Sequence, residues 1–157
     1  YSVDIDDCSK VSNSKRWKFI HTRDDNYKKI IEESEDKFDI IYIDSFHNAK
    51  HVEKIIYLYF PNLKVNGSMF IDDISWVLYS RNNERDHFNS EVNNYETFLK
   101  TLDILNTNMD VIELSFDFTS SGLCKIYKLS NEQLNKSKKI KSRYISIKNL
   151  IRKIVYQ

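Results

Sequence analysis

Residues 38–47 read Phe-Asp-Ile-Ile-Tyr-Ile-Asp-Ser-Phe-His. Phe38 to Ile43 is nearly continuous apolar sequence rich in Ile, the pattern of a strand buried on both faces of a parallel sheet, and it stops at the carboxylate of Asp44. Downstream, Val52, Ile55, Ile56 and Tyr59 recur at helical spacing and Pro61 closes the segment, which predicts a helix from His47 to Phe60. Asn66-Gly67 then reads as a turn, and Ser68 to Ile71 as a second buried strand ending in Asp72-Asp73.

The same alternation extends both ways. Upstream, Tyr1 to Asp6 and Trp17 to His21 read as short strands and Asp25 to Ser34 as a short helix. Downstream, Tyr95, Phe98, Leu99 and Leu102 mark a helix, and Met109 to Phe118 and Leu123 to Leu129 form two closing strands around Thr119-Ser120-Ser121-Gly122. These last two are expected to pair as an antiparallel hairpin. The predicted fold is therefore α/β and Rossmann-like, a mainly parallel sheet with helices on both faces.

The 157 residues are the length of one domain. Aromatics at 13% and hydrophobics at 41% supply a packed core, while no apolar run approaches the roughly 18 residues of a membrane span. Two cysteines, Cys8 and Cys124, lie outside any C-x-x-C pattern, which excludes a disulfide scaffold and a cysteine-built zinc site. No apolar signal segment is present, so the expected compartment is cytoplasmic. With only Gly67 and Gly122, the chain has no phosphate-cradling glycine loop.

Net charge is +1, but its distribution is uneven. Residues 129–157 hold eight Lys or Arg against Glu132, a local balance of +7 that leaves about −6 for the rest. A boundary near Leu129 follows, dividing a domain at 1–129 from a basic tail at 130–157. In the tail Ile140, Tyr144, Ile147, Ile151 and Ile154 recur at helical spacing, so it reads as a basic amphipathic helix. Docking of that stripe on the domain and contact with an anionic membrane are both consistent with it. The total charge gives no reason to expect nucleic acid.

Acids end successive strands: Asp4 or Asp6, then Asp44, then Asp72 and Asp73. Ligands of an open parallel sheet bind beyond the carboxyl ends of its strands, so these acids converge where a site is expected. Three gathered carboxylates repel unless a cation compensates them, and Asp44, Asp72 and Asp73 offer the hard oxygens that suit Mg²⁺ or another divalent cation. Capping of loops and helix starts is the alternative use of such acids. His47, three residues past Asp44, is placed to act as a general base. His51, a turn further on, reads as a solvated residue of the helix face. Trp76 follows the acids and is a candidate for stacking on an acceptor ring, with core packing as the other reading.

These residues, from Tyr1 to about Leu129, resemble class I S-adenosylmethionine-dependent methyltransferases, and more narrowly the metal-dependent sugar O-methyltransferases of the macrocin type and the related cephalosporin-hydroxylase-like group. The matching features are a strand ending Asp44-Ser-Phe-His47, a helix, and a strand ending Asp72-Asp73. The resemblance implies S-adenosylmethionine and Mg²⁺ as cofactors, metal ligation by Asp44, Asp72 and Asp73, and His47 as the base. It further implies that Asp4, with Asp6 beside it, holds the cofactor ribose and that Asp24 lies near the adenine, with Asp44 on the same rim. The implied reaction is methyl transfer to a hydroxyl of a small molecule or glycan, a sugar being the leading acceptor. The family's first strand, Gly-rich turn and first helix have no counterpart here, since Tyr1 already matches the second strand. An N-terminal part or neighbouring domains are thus expected partners. The competing expectation is a non-catalytic domain serving as scaffold or binding module in a larger protein.

Overall fold

A computed structural model of the chain describes residues 1–82, 88–139 and 151. The strands are β1 (Ser2–Asp4), β2 (Phe19–His21), β3 (Phe38–Ile43), β4 (Leu63–Asp72), β5 (Ile112–Asp117) and β6 (Leu123–Lys128). The helices are α1 (Tyr27–Glu33), α2 (Ala49–Tyr59), α3 (Val77–Asn82) and α4 (Phe88–Thr107), with a 3₁₀ turn at Phe60–Asn62. The α/β class and the antiparallel hairpin of β5 and β6 are as the sequence implies. No helix among the described residues is long and apolar enough to cross a membrane.

The strands form two sheets. β1 pairs with β2 in parallel, and a four-stranded sheet runs β3-β4-β6-β5, parallel between β3 and β4 and antiparallel beyond. β1 and β3 are therefore both edges. One core nevertheless underlies both sheets, with Ile20 from β2 joining Ile43, Met69, Ile71, Cys124 and Ile126 from the larger sheet. Helix α2 contributes Val52, Ile55 and Ile56 to that core, and α4 contributes Ile104.

Among the described residues the expected cover on both faces of the sheet is found on one. Along β3 to β6 the inward residues are buried, as Met69, Ile71, Cys124 and Ile126 are, or partly buried, as Ile41, Leu114 and Phe116 are, while none of the alternate residues on the opposite face is buried. Ile40 and Tyr42 are 65% and 56% exposed, so β3 is not the doubly buried strand its composition suggests. β3 is in addition an edge strand, since β1 is not paired to it.

β4 also begins earlier than the Asn66-Gly67 signal suggests. Asn66 takes a left-handed φ of 65° within the strand, and the β3–β4 register shifts there, so the dipeptide makes an irregularity in the ladder rather than a turn. Gly67 is required because a Cβ would lie 2.8 Å from the Lys64 carbonyl oxygen and 2.9 Å from that of Asp39.

Beyond β6, residues 131–139 are neither helix nor strand and lie against α2 and α4. Buried Asn108 bonds both the N–H and the carbonyl of Asn135, the Tyr57 hydroxyl donates to the Asn135 carbonyl, and the Ser137 hydroxyl donates to Glu53. The start of the basic tail is thus fastened to the domain in an irregular course. The amphipathic stripe from Ile140 to Ile154 lies outside the described residues apart from Ile151.

Candidate active site

The carboxyl ends of β3 and β4 bring four of the expected residues together. Tyr42 lies near the end of β3 and Asp44 directly follows the strand. The parallel register pairs Tyr42 with Phe70, which sets Asp72 one pleat further along β4 on the same side as Tyr42. Asp73 follows with a left-handed φ of 57°, an unusual conformation for a residue with a Cβ and one that clusters at functional sites.

His47 closes the group. Its Nε2 lies 3.1 Å from Oδ2 of Asp73 and 3.7 Å from Oδ1 of Asp44, so one imidazole nitrogen faces two carboxylates. It precedes α2 rather than beginning it. The helix is capped by Asn48, whose side chain accepts from the backbone N–H groups of Lys50 and His51.

Asp72 is held differently. Its Oδ2 accepts from the Tyr42 hydroxyl at 2.6 Å, and its Oδ1 accepts from the Ser121 hydroxyl at 3.0 Å and from the Asp73 N–H at 2.8 Å. Partial burial pushes the Asp72 carboxyl up, but these hydrogen bonds and the nearby His47 outweigh it and hold the group below the ordinary carboxylate range. The same bond to Asp72, with burial and the surrounding acids, pushes the Tyr42 phenol up to about 12. Neither Tyr42 nor Ser121 was singled out by sequence. Tyr42 looks like one more core aromatic and Ser121 like a turn residue, and both reach Asp72 from elements remote in the chain.

The turn that carries Ser121 is joined to the loop after Asp73. The Ser75 N–H donates to the Ser121 carbonyl at 2.8 Å, and Gly122, at φ +82°, sits so close that a Cβ would lie 2.5 Å from the Ser75 Cβ. Ser75 is itself buried, its carbonyl accepting from Asn94 of α4.

The other expected residues stand apart. Asp4 and Asp6 end β1, on the separate small sheet, where the Asp6 N–H donates to Oδ1 of Asp4 at 2.9 Å. Asp24 lies between β2 and α1, its Oδ2 2.6 Å from Nε2 of His51. That corrects the reading of His51 as a solvated helix residue: its side chain is only 14% exposed, because Asp24 is within reach of the first turn of α2. Trp76 is packed in an aromatic group, its ring centroid 4.8 Å from those of Tyr95 and Phe98 and 5.5 Å from that of Phe118. Residues 83–87 of the adjoining loop, including His87, lie outside the described residues.

The donor set is the hard, all-oxygen kind that suits Mg²⁺, with Asp44 and Asp73 facing one point. It is not a finished cage. Among the described residues no three His, Cys, Asp or Glu are gathered as metal ligands; His47 stands between Asp44 and Asp73, and Asp72 keeps one acceptor position on Oδ2 beside its bonds to Tyr42, Ser121 and the Asp73 N–H.

No family model matches the chain. No curated protein matches it in sequence. Solved structures do match in fold. The MycE methyltransferase from the mycinamycin biosynthetic pathway, in complex with Mg, SAH and mycinamycin VI, superposes with a TM-score of 0.56 at 21% identity, over 83% of this chain and 36% of its own. A second crystal form with Mg and SAH matches over 96% of this chain and 41% of its own, with a TM-score of 0.56 at 19% identity. The SAH-bound Podospora anserina methyltransferase PaMTH1 has a TM-score of 0.59 at 15% identity, over 78% of this chain and 53% of its own. The chain thus has the fold of these methyltransferases and spans between about a third and a half of their length.

Proposed function

We propose that this chain is the acceptor-side and metal-side portion of an S-adenosylmethionine-dependent O-methyltransferase, acting on a hydroxyl of a small molecule or glycan, with a sugar as the leading acceptor. The observation that carries the reading is His47 facing both Asp73 and Asp44 at the carboxyl ends of two parallel strands, beside a third acid, Asp72. The likeness to MycE and PaMTH1 supports the cofactor assignment.

Asp44, Asp72 and Asp73 would hold the divalent cation. Such an ion supplies positive charge that lowers the pKa of a coordinated hydroxyl. His47, which stands beside these acids, would accept the acceptor's proton once the cation holds Asp44 and Asp73 and leaves its Nε2 free of them. Asp4 takes the ribose hydroxyls through Oδ2 and the remaining position of Oδ1, which already accepts from the Asp6 N–H. Asp24 offers Oδ1 toward the adenine, its Oδ2 being bonded to His51. The Trp76, Tyr95 and Phe118 group borders the acceptor side, Tyr95 and Phe118 being 43% and 37% exposed.

The open edges of β1 and β3 bear on partners. A further strand, from sequence beyond this chain or from a neighbouring domain, would join the two sheets and complete the cofactor side. One observation favours the alternative of a non-catalytic binding domain, namely the absence of a finished metal cage among the described residues. Isothermal titration with Mg²⁺ separates the two. The wild-type protein is expected to bind the ion and the Asp44→Asn/Asp73→Asn double variant to lose it; equal affinity in both contradicts the assignment.

A further inference from the structure

Asp72 has two oxygens and about four acceptor positions. Three are in use: Ser121 and the Asp73 N–H fill Oδ1, and Tyr42 takes one position on Oδ2. We propose that Tyr42 and Ser121 are positioning residues of the carboxylate centre, which fix Asp72 so that it meets a hard cation at a single point, through Oδ2. This rests on the reading of that centre as a divalent-cation site.

Two independent elements supply the hydroxyls, which is why the arrangement is rigid. Tyr42 reaches Asp72 across the β3–β4 ladder, a distance that suits a phenol on the neighbouring strand. Ser121 is delivered by the β5–β6 turn, and that turn is locked to Ser75 by a backbone hydrogen bond and by the close contact at Gly122. With Oδ1 saturated, two-point chelation by Asp72 requires one of these bonds to break. With both hydroxyls in place, the carboxylate keeps one orientation before the ion arrives, the usual work of groups that bond to metal ligands.

The test is isothermal titration of Mg²⁺ and of Mn²⁺ into the wild-type protein and into Tyr42→Phe, Ser121→Ala and Ser121→Thr, with thermal unfolding followed in parallel. Tyr42→Phe keeps the ring of a residue that is more than half exposed, so its fold is preserved. Tyr42→Phe and Ser121→Ala are each expected to weaken the cation by about 10-fold to 100-fold. Ser121→Thr, which retains the hydroxyl, is expected to restore wild-type affinity. A wild-type protein that binds the ion and a Tyr42→Phe variant that binds it equally well or better would overturn the positioning role and leave the cation site standing. A wild-type protein that binds neither ion would overturn both.

Discussion

His47 and His51 lie four residues apart, one before α2 and one within it, and have different partners, the first facing Asp73 and Asp44 on the rim, the second paired to Asp24. Their substitutions should therefore separate. His47→Ala should lower methyl-transfer turnover by about 10² to 10⁴ with little change in cation affinity, as removal of a general base does. His51→Ala leaves a half-buried Asp24 without its partner and should appear as about 1 to 3 kcal/mol of lost stability in urea unfolding, with a smaller effect on turnover. Sequence alone indicates Asp44, Asp72, Asp73 and His47, because strand ends are legible from apolar runs and the acids stop those runs. It does not indicate the partners of Asp72. Tyr42 and Ser121 are 30 and 49 residues away, and only the strand register and the locked turn bring them in.

At the scale of elements, lysines meet the carbonyls at the end of α1 and around the 3₁₀ turn. Lys128 is buried, donates to the carbonyls of Phe60 and Leu63 and lies 4.5 Å over the Phe60 ring, while Lys37 donates to the Pro61 carbonyl and Lys18 to that of Glu33. Charge also fastens the segment before α1 to α2. The Lys54 hydrogen bond, with that of Arg23, lowers the Asp25 carboxyl to about 2. The folded value lies below the ordinary one near 4, so this stabilisation is complete above about pH 4 and lost as pH falls toward 2. Asp25→Asn should therefore flatten the acid limb of a stability profile measured between those values. Gly122 sits where a side chain has neither space nor a comfortable φ, so Gly122→Ala should cost at least about 1 to 3 kcal/mol in chemical unfolding. The order and types of the elements are legible in the sequence. Their edges are less so: Asn66-Gly67 has turn chemistry, yet it lies inside β4 as an irregularity, and regular pairing with both β3 and β6 resumes at Ser68.

At the scale of the molecule, one core lies beneath two sheets, and β3 has the composition of a central strand in the position of an edge. Composition reports what a strand is built to be buried by, not whether the covering layer is present, which is why the sequence implies cover on both faces and the described residues cover one. In the 157-residue chain, amides of β3 that are not bonded to β4 should exchange rapidly by hydrogen–deuterium mass spectrometry, and a protein that includes the joining strand should protect them. Slow exchange there in the chain alone would mean that the gap is closed in some other way. The central claim is that the acids at the ends of β3 and β4 form the divalent-cation centre of a methyl-transfer enzyme. Its most direct test is transfer of isotopic methyl from S-adenosylmethionine to a panel of sugar-hydroxyl acceptors by protein expressed from its complete gene. Product should form with Mg²⁺, cease on chelation and be absent in Asp44→Asn/Asp73→Asn. Product that forms equally in chelator or in that double variant would contradict the account.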